Sequence, residues 1–173
     1  VLDDPMRPRF FGAVCDPIGD FSTENAVVRA EALPPGPVRF TWHTGGHVPE
    51  DFVWAASLPL LVSDAVVAVL ERESFVGWSS YGVELYGKAG ERIPGYQGFS
   101  VSGRCGPRDE DIARAQKQLG REGIAVELGL FFDPGTWDGS DIFLSAMPRS
   151  WLIHVTEDVK KAFRKLAREC HPD

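Results

Sequence analysis

Positive charge is what this sequence most lacks: 18 Lys and Arg face 25 Asp and Glu, a formal net charge of −7 over 173 residues. Nucleic-acid affinity depends on clustered Lys and Arg that displace counterions from the phosphate backbone, so DNA and RNA are not expected as partners. Cysteine is scarce too. Cys15, Cys105 and Cys170 are odd in number, widely spaced and free of any Cys-x-x-Cys pair, which argues against a disulfide framework or a zinc ribbon and leaves reduced thiols as the expected state. No apolar run approaches the length of about 18 residues that a membrane helix needs. The first residues, Val1-Leu2-Asp3-Asp4-Pro5, show neither the basic end nor the hydrophobic stretch of a signal peptide, so a cytoplasmic chain with no membrane partner is the expectation. Glycine patterns that cradle phosphates ahead of a helix are missing, and Gly98-Phe99-Ser100-Val101-Ser102-Gly103 departs from the Gly-x-Ser-x-Gly elbow of hydrolases.

What is present is the balance of a folded globular chain, with 43% hydrophobic and 25% charged residues. The 18 glycines and 13 prolines make under a fifth of the chain, enough for many turns and too few for low complexity. The length predicts a single domain spanning residues 1–173, with residues 1–9 flexible. Summed by segment, only residues 151–173 are net positive, at +1.

Hydrophobic periodicity supplies the elements. Val38, Phe40 and Trp42 alternate with Arg39, Thr41 and His43, the period of a strand with one face on a core. Leu58 to Val62 reads as a short strand feeding a helix capped at Ser63-Asp64, with Val66, Val69 and Leu70 on one side. Val76 to Tyr86 reads as a long strand, bulged near Ser79-Ser80, forming an antiparallel hairpin with Tyr96 to Cys105. Asp109 to Glu122 has helix-forming composition, Ala125 to Phe132 is strand-like, and Trp151 to Val155 is a last strand. A final helix from Thr156 to about Cys170 is expected to bury Val159, Ala162, Phe163, Leu166 and Cys170. Together these predict an α+β fold, mainly an antiparallel sheet with two or three helices packed on one side.

The chain echoes itself. Residues 62–70, beginning Val62-Ser63-Asp64, align without gaps with residues 155–163, beginning Val155-Thr156-Glu157. Each places a strand end, a hydroxyl cap and a first-turn acid that suits the helix dipole, and each is preceded by an Asp-apolar-apolar start, Asp51-Phe52-Val53 or Asp141-Ile142-Phe143. A remnant duplication and the generic form of any strand–cap–helix unit both account for this.

The order Leu61-Val62-Ser63-Asp64, Gly77-Trp78, Val83-Glu84-Leu85, Gly95-Tyr96, Gly103-Arg104-Cys105, Trp137-Asp138-Gly139-Ser140-Asp141-Ile142-Phe143 and Val155-Thr156-Glu157 resembles a bacterial family. It is a former domain of unknown function assigned as immunity proteins of polymorphic toxin systems. The resemblance runs from about Trp42 to Leu166, and the Trp-Asp-Gly-Ser-Asp-Ile-Phe stretch is its most specific piece. Members commonly add a strand after the last helix, whereas this sequence ends at His171-Pro172-Asp173, so the resemblance does not fix the edge of the sheet. It implies a cytoplasmic protein, not an enzyme, that binds a cognate toxin and blocks it by occlusion.

Site chemistry is sparse. His43 and His47 stand four apart, but Gly45-Gly46 between them disfavours the helix that would align them for a metal. His154 reads as a hydrogen-bonded core histidine. Asp133, Asp138 and Asp141 crowd one loop, where carboxylates serve either tight turns or a metal-dependent enzyme or ligand-binding domain, which is the alternative function. The expected contacts with a partner protein are Trp137, Asp138, Asp141 and Arg104; no catalytic, cofactor or metal residue is assigned.

Overall fold

The computed structural model describes residues 11–46, 48–55, 60–109, 117–119, 125–127, 132–146 and 153–170. The expected flexible segment 1–9, His47, Trp151 and the side chains of Leu166 and Cys170 lie outside them. The chain gathers into two compact units: Val1–Ser74 with Ser79–Ser100, and Phe75–Trp78 with Val101–Asp173.

In the first unit, strands β1 (Phe11–Cys15), β2 (Val38–Gly45), β6 (Val83–Tyr86) and β7 (Arg92–Ile93) form one sheet in the order β1-β2-β6-β7. β3 (Phe52–Trp54), β4 (Leu60–Ser63), β8 (Tyr96–Val101) and β5 (Trp78–Tyr81) form another in the order β3-β4-β8-β5. A parallel bridge between Ala13 and Ala55 links β1 to the end of β3. Alternation decides which side chains go inward: Phe11, Ala13 and Cys15 of β1, Val38 and Phe40 of β2, Val53, Leu61, Tyr81 and Leu85 join Val27 in one core.

Helix α1 (Phe21–Val28) lies between β1 and β2 in the chain. Asp20 accepts from the Thr23 amide at 2.9 Å and starts it, Ala30 at φ 54° turns the chain out of it, and Val27 and Val28 are buried. The Val27 carbonyl accepts the buried Ser100 hydroxyl at 2.6 Å. Helix α2 (Asp64–Arg72) follows β4 as expected, with Val66, Val67, Val69 and Leu70 buried.

In the second unit, β9 (Gly103–Cys105), β12 (Ile142–Ser145) and β13 (Ile153–Val155) form a sheet in the order β13-β12-β9. The hairpin β10 (Lys117–Leu119) with β11 (Ala125–Glu127) and helix α3 (Glu157–Cys170) complete it. The Gly77 carbonyl accepts from the amides of Ser102 and Gly103, and the Val76 carbonyl from those of Asp141 and Ile142, which ties residues 75–78 into this unit. Gly77 has φ +98° and any Cβ there would overlap the Ile142 carbonyl, so the position demands glycine.

The α+β class holds, with antiparallel pairing dominant among the described residues and parallel pairing of β2 with β6 and of β9 with β12. Both parallel pairs join strands separated by long stretches of chain, which is what parallel pairing requires. Two expectations are corrected. Val76–Tyr86 is not one bulged strand: it breaks at Gly82, leaving β5 beside β8 while β6 joins the other sheet between β2 and β7. Of the helix expected over 109–122, Lys117–Leu119 is a strand paired antiparallel with Ala125–Glu127, so a tertiary partner overrides local propensity; residues 110–116 and 120–124 lie outside the described residues.

Tyr81 explains Gly98. The tyrosine ring lies across the glycine, and a Cβ at 98 would overlap it. The Tyr81 hydroxyl is buried without a hydrogen-bond partner among the described residues, and burial, then the nearby Cys15, push its pKa far up. Gly98→Ala should therefore destabilise the fold by about 1–3 kcal/mol or more, whereas Tyr81→Phe, which removes an uncompensated hydroxyl, should leave it at least as stable. Urea unfolding of both variants checks this, and a Tyr81→Phe loss as large as that of Gly98→Ala would contradict it.

Candidate functional site

The four residues expected to meet a partner lie in the second unit. Asp133 opens the short 3-10 turn Pro134–Thr136, its Oδ1 accepting from the Gly135 amide at 2.9 Å. The Thr136 hydroxyl donates to the Asp133 carbonyl at 2.6 Å and accepts from the Gly106 amide at 2.9 Å. Trp137 follows, 37% exposed, its Nε1 donating to the Ser140 carbonyl at 3.1 Å and its ring centroid 5.8 Å from that of Phe143. Phe143 also meets Phe132 edge-on at 5.7 Å and His154 at 5.6 Å.

Asp138 and Arg104 are joined, though through the backbone. Asp138 Oδ2 accepts from the Arg104 amide at 2.7 Å, and the Asp138 amide donates to the Arg104 carbonyl at 3.1 Å. Oδ1 accepts from the amide and the hydroxyl of Ser140. The Arg104 guanidinium donates to the carbonyls of Val101 and Gly103 at 2.7 and 2.9 Å. Burial alone would raise the Asp138 pKa, but the Ser140 and Arg104 hydrogen bonds, with the charge of Arg104, hold the carboxyl below its ordinary value.

Asp141 performs another task. Its Oδ2 accepts from the Val76 amide at 3.0 Å, and its Oδ1 and carbonyl accept from the Thr156 hydroxyl and amide at 3.3 and 2.9 Å. The three loop carboxylates thus spend their oxygens separately on amides and hydroxyls, and no group of His, Cys, Asp and Glu suited to a metal occurs among the described residues. Cys105 is buried, and its burial, followed by the charge of Asp138, pushes the thiol's pKa up and away from a reactive thiolate. Burial lowers the pKa of His154, which favours the neutral imidazole at its place beside Phe143.

A different surface emerges in the first unit, and sequence reasoning missed it. On β3 the pattern is Phe52 outward, Val53 fully buried, Trp54 outward. The register places Phe52, Val62 and Gln97 in one row and Trp54, Leu60 and Phe99 in the next, all on one side of the sheet. Leu60, Val62 and Phe99 are buried, yet Phe52 is 42% and Trp54 59% exposed. The rows therefore run from buried at the centre to open at β3. Val48 just ahead of the strand is exposed too. The Tyr96 hydroxyl donates to the carbonyls of Pro49 and Glu50 at 3.0 and 3.2 Å, fixing the approach to β3. Because Phe52, Val53 and Trp54 are all apolar, their sequence gives no polar–apolar alternation to mark which side is wet.

A shallow hollow of about 330 Å³ in this unit is lined by Val83, Arg92, Ile93, Pro94, Gly95 and Tyr96. Its one ionic side chain, Arg92, lies 3.7 Å from Glu84, so no acid–base pair converges there. In comparisons with known proteins, no family model matches the chain and no curated protein matches it.

The Asp138 geometry makes a prediction. Asp138→Ala strands the Arg104 and Ser140 donors and should cost about 1–3 kcal/mol of stability. A carboxyl with a depressed folded pKa stabilises above its unfolded value, near 3.8, and that contribution fades as pH falls through the folded value. The stability gap between wild type and Asp138→Asn, read by thermal melts, should accordingly narrow below about pH 4. A gap that widens in acid would refute the assignment.

Proposed function

We propose that this chain is an immunity protein that acts in the cytoplasm, binding a cognate bacterial toxin and neutralising it by occlusion. The observation that carries the reading is the outward pair Phe52 and Trp54 on β3, both exposed: large aromatic side chains at the surface are the residue class that anchors protein–protein interfaces. The family resemblance of the Trp137–Phe143 stretch and the strand–hydroxyl–acid–helix motifs supports the same class of function. In this reading Asp138, Asp141 and the Arg104 backbone hold the fold of the second unit, and Trp137, packed on Phe143, adds a secondary contact at most.

The test is co-expression with the toxin domain encoded by the adjacent reading frame. Growth should be restored, and the two proteins should co-purify as a stable complex. Continued toxicity with both proteins folded and expressed would overturn the proposal.

A further inference from the structure

The echo between residues 62–70 and 155–163 extends into three dimensions. In the first unit β3 pairs antiparallel with β4, Phe52 opposite Val62, and Ser63 donates through its amide and hydroxyl to the carbonyl and Oδ1 of Asp51 at 2.9 and 2.6 Å. In the second, β12 pairs antiparallel with β13, Ile142 opposite Val155, and Thr156 donates in the same way to Asp141. The next matched position, Val66 or Val159, is buried in both helices. A helix cap alone does not call for an aspartate one strand earlier, so the two units share one strand–strand–helix arrangement, down to the aspartate that holds the cap.

The two differ in burial: β4 is buried where β13 is half-buried, and the edge strand β3 is more exposed than the central strand β12. The residues that match Phe52 and Trp54 are Ile142 and Leu144, which are 2% and 1% exposed. These positions are buried in the second unit and exposed in the first.

Charge selects what closes them. Between Arg39 and Arg72 the sequence contains no Lys or Arg but has Glu50, Asp51, Asp64 and Glu71. The first unit holds 13 acidic and 7 basic residues, a formal −6, against −1 for the second. The sheet β3-β4-β8-β5 has no charged side chain of its own, and Glu50 and Asp64 are exposed at its margin. A second copy would set −6 against −6 across an apolar patch, whereas a basic protein would gain steering and complementarity.

From these observations we infer that the outward face of β3, centred on Phe52 and Trp54, is the docking site for a positively charged protein surface. The identity of that partner as the toxin rests on the immunity reading. Its location and charge rest on the comparison of the two units and on the acidic margin.

Stopped-flow and equilibrium binding of the inactivated toxin domain test this directly. Trp54→Ala, an exposed position, should raise Kd about 30-fold or more while leaving the melting temperature unchanged. Glu50→Lys should slow association several-fold with little change in dissociation, and the wild-type association rate should fall about tenfold or more between roughly 0.02 and 0.3 M salt. Toxin binding that is unaffected by Trp54→Ala and Phe52→Ala, or whose association rate is indifferent to salt, would overturn this inference and leave the immunity reading standing. Self-association in sedimentation that Trp54→Ala abolishes would overturn it in favour of a second copy. No binding by folded proteins at low salt would remove both.

Discussion

An aspartate that grips a hydroxyl residue where a strand becomes a helix is the constraint on which each unit depends. Asp51 holds Ser63 through a side-chain and a main-chain hydrogen bond, and Asp141 holds Thr156 the same way. Without that grip the two strands of each module would lose their register anchor, and a register slip by one residue would turn every apolar side chain to the wrong face. Ser63 carries a second load, accepting from the Val66 amide at 3.3 Å to begin α2. One small side chain thus sets both the strand pairing and the helix start.

The acids and the aromatics divide the work. Asp133, Asp138 and Asp141 look like reactive chemistry when counted along the sequence, but each closes a turn or joins distant backbone segments. Tight turns expose amides that need acceptors, and a short carboxylate is the residue that reaches them. The exposed aromatic surface lies elsewhere, on Phe52 and Trp54, held outward by a strand whose middle residue is locked in the core.

Sequence periodicity was enough for β2, β4, α2, β13 and the course of α3, because each carries a clear cap or alternation, whereas β12 went unread in the sequence. It failed where partners outside the local window decide. Lys117-Gln118-Leu119 has the composition of a helix and pairs as a strand with Ala125–Glu127, and the break at Gly82 sends two halves of an apparent strand to different sheets. Asp138 and Arg104, expected separately as partner contacts, are joined through the Arg104 amide and carbonyl, a link that no sequence spacing announces. The β3 face was invisible because burial, unlike apolarity, is not written in three consecutive hydrophobic residues.

Residues Phe75–Trp78 belong with the second unit although the first unit resumes at Ser79 and runs to Ser100. Neither unit is therefore a continuous piece of polypeptide. On the ribosome the amino-terminal half must wait for the chain through Val101 before its sheets have all their strands, while Val76 and Gly77, already synthesised, lack their partners until Ser102, Gly103 and β12 emerge. An arrangement of this kind ties the maturation of the second module to chain made much earlier, and it forbids separating the two by any single cut.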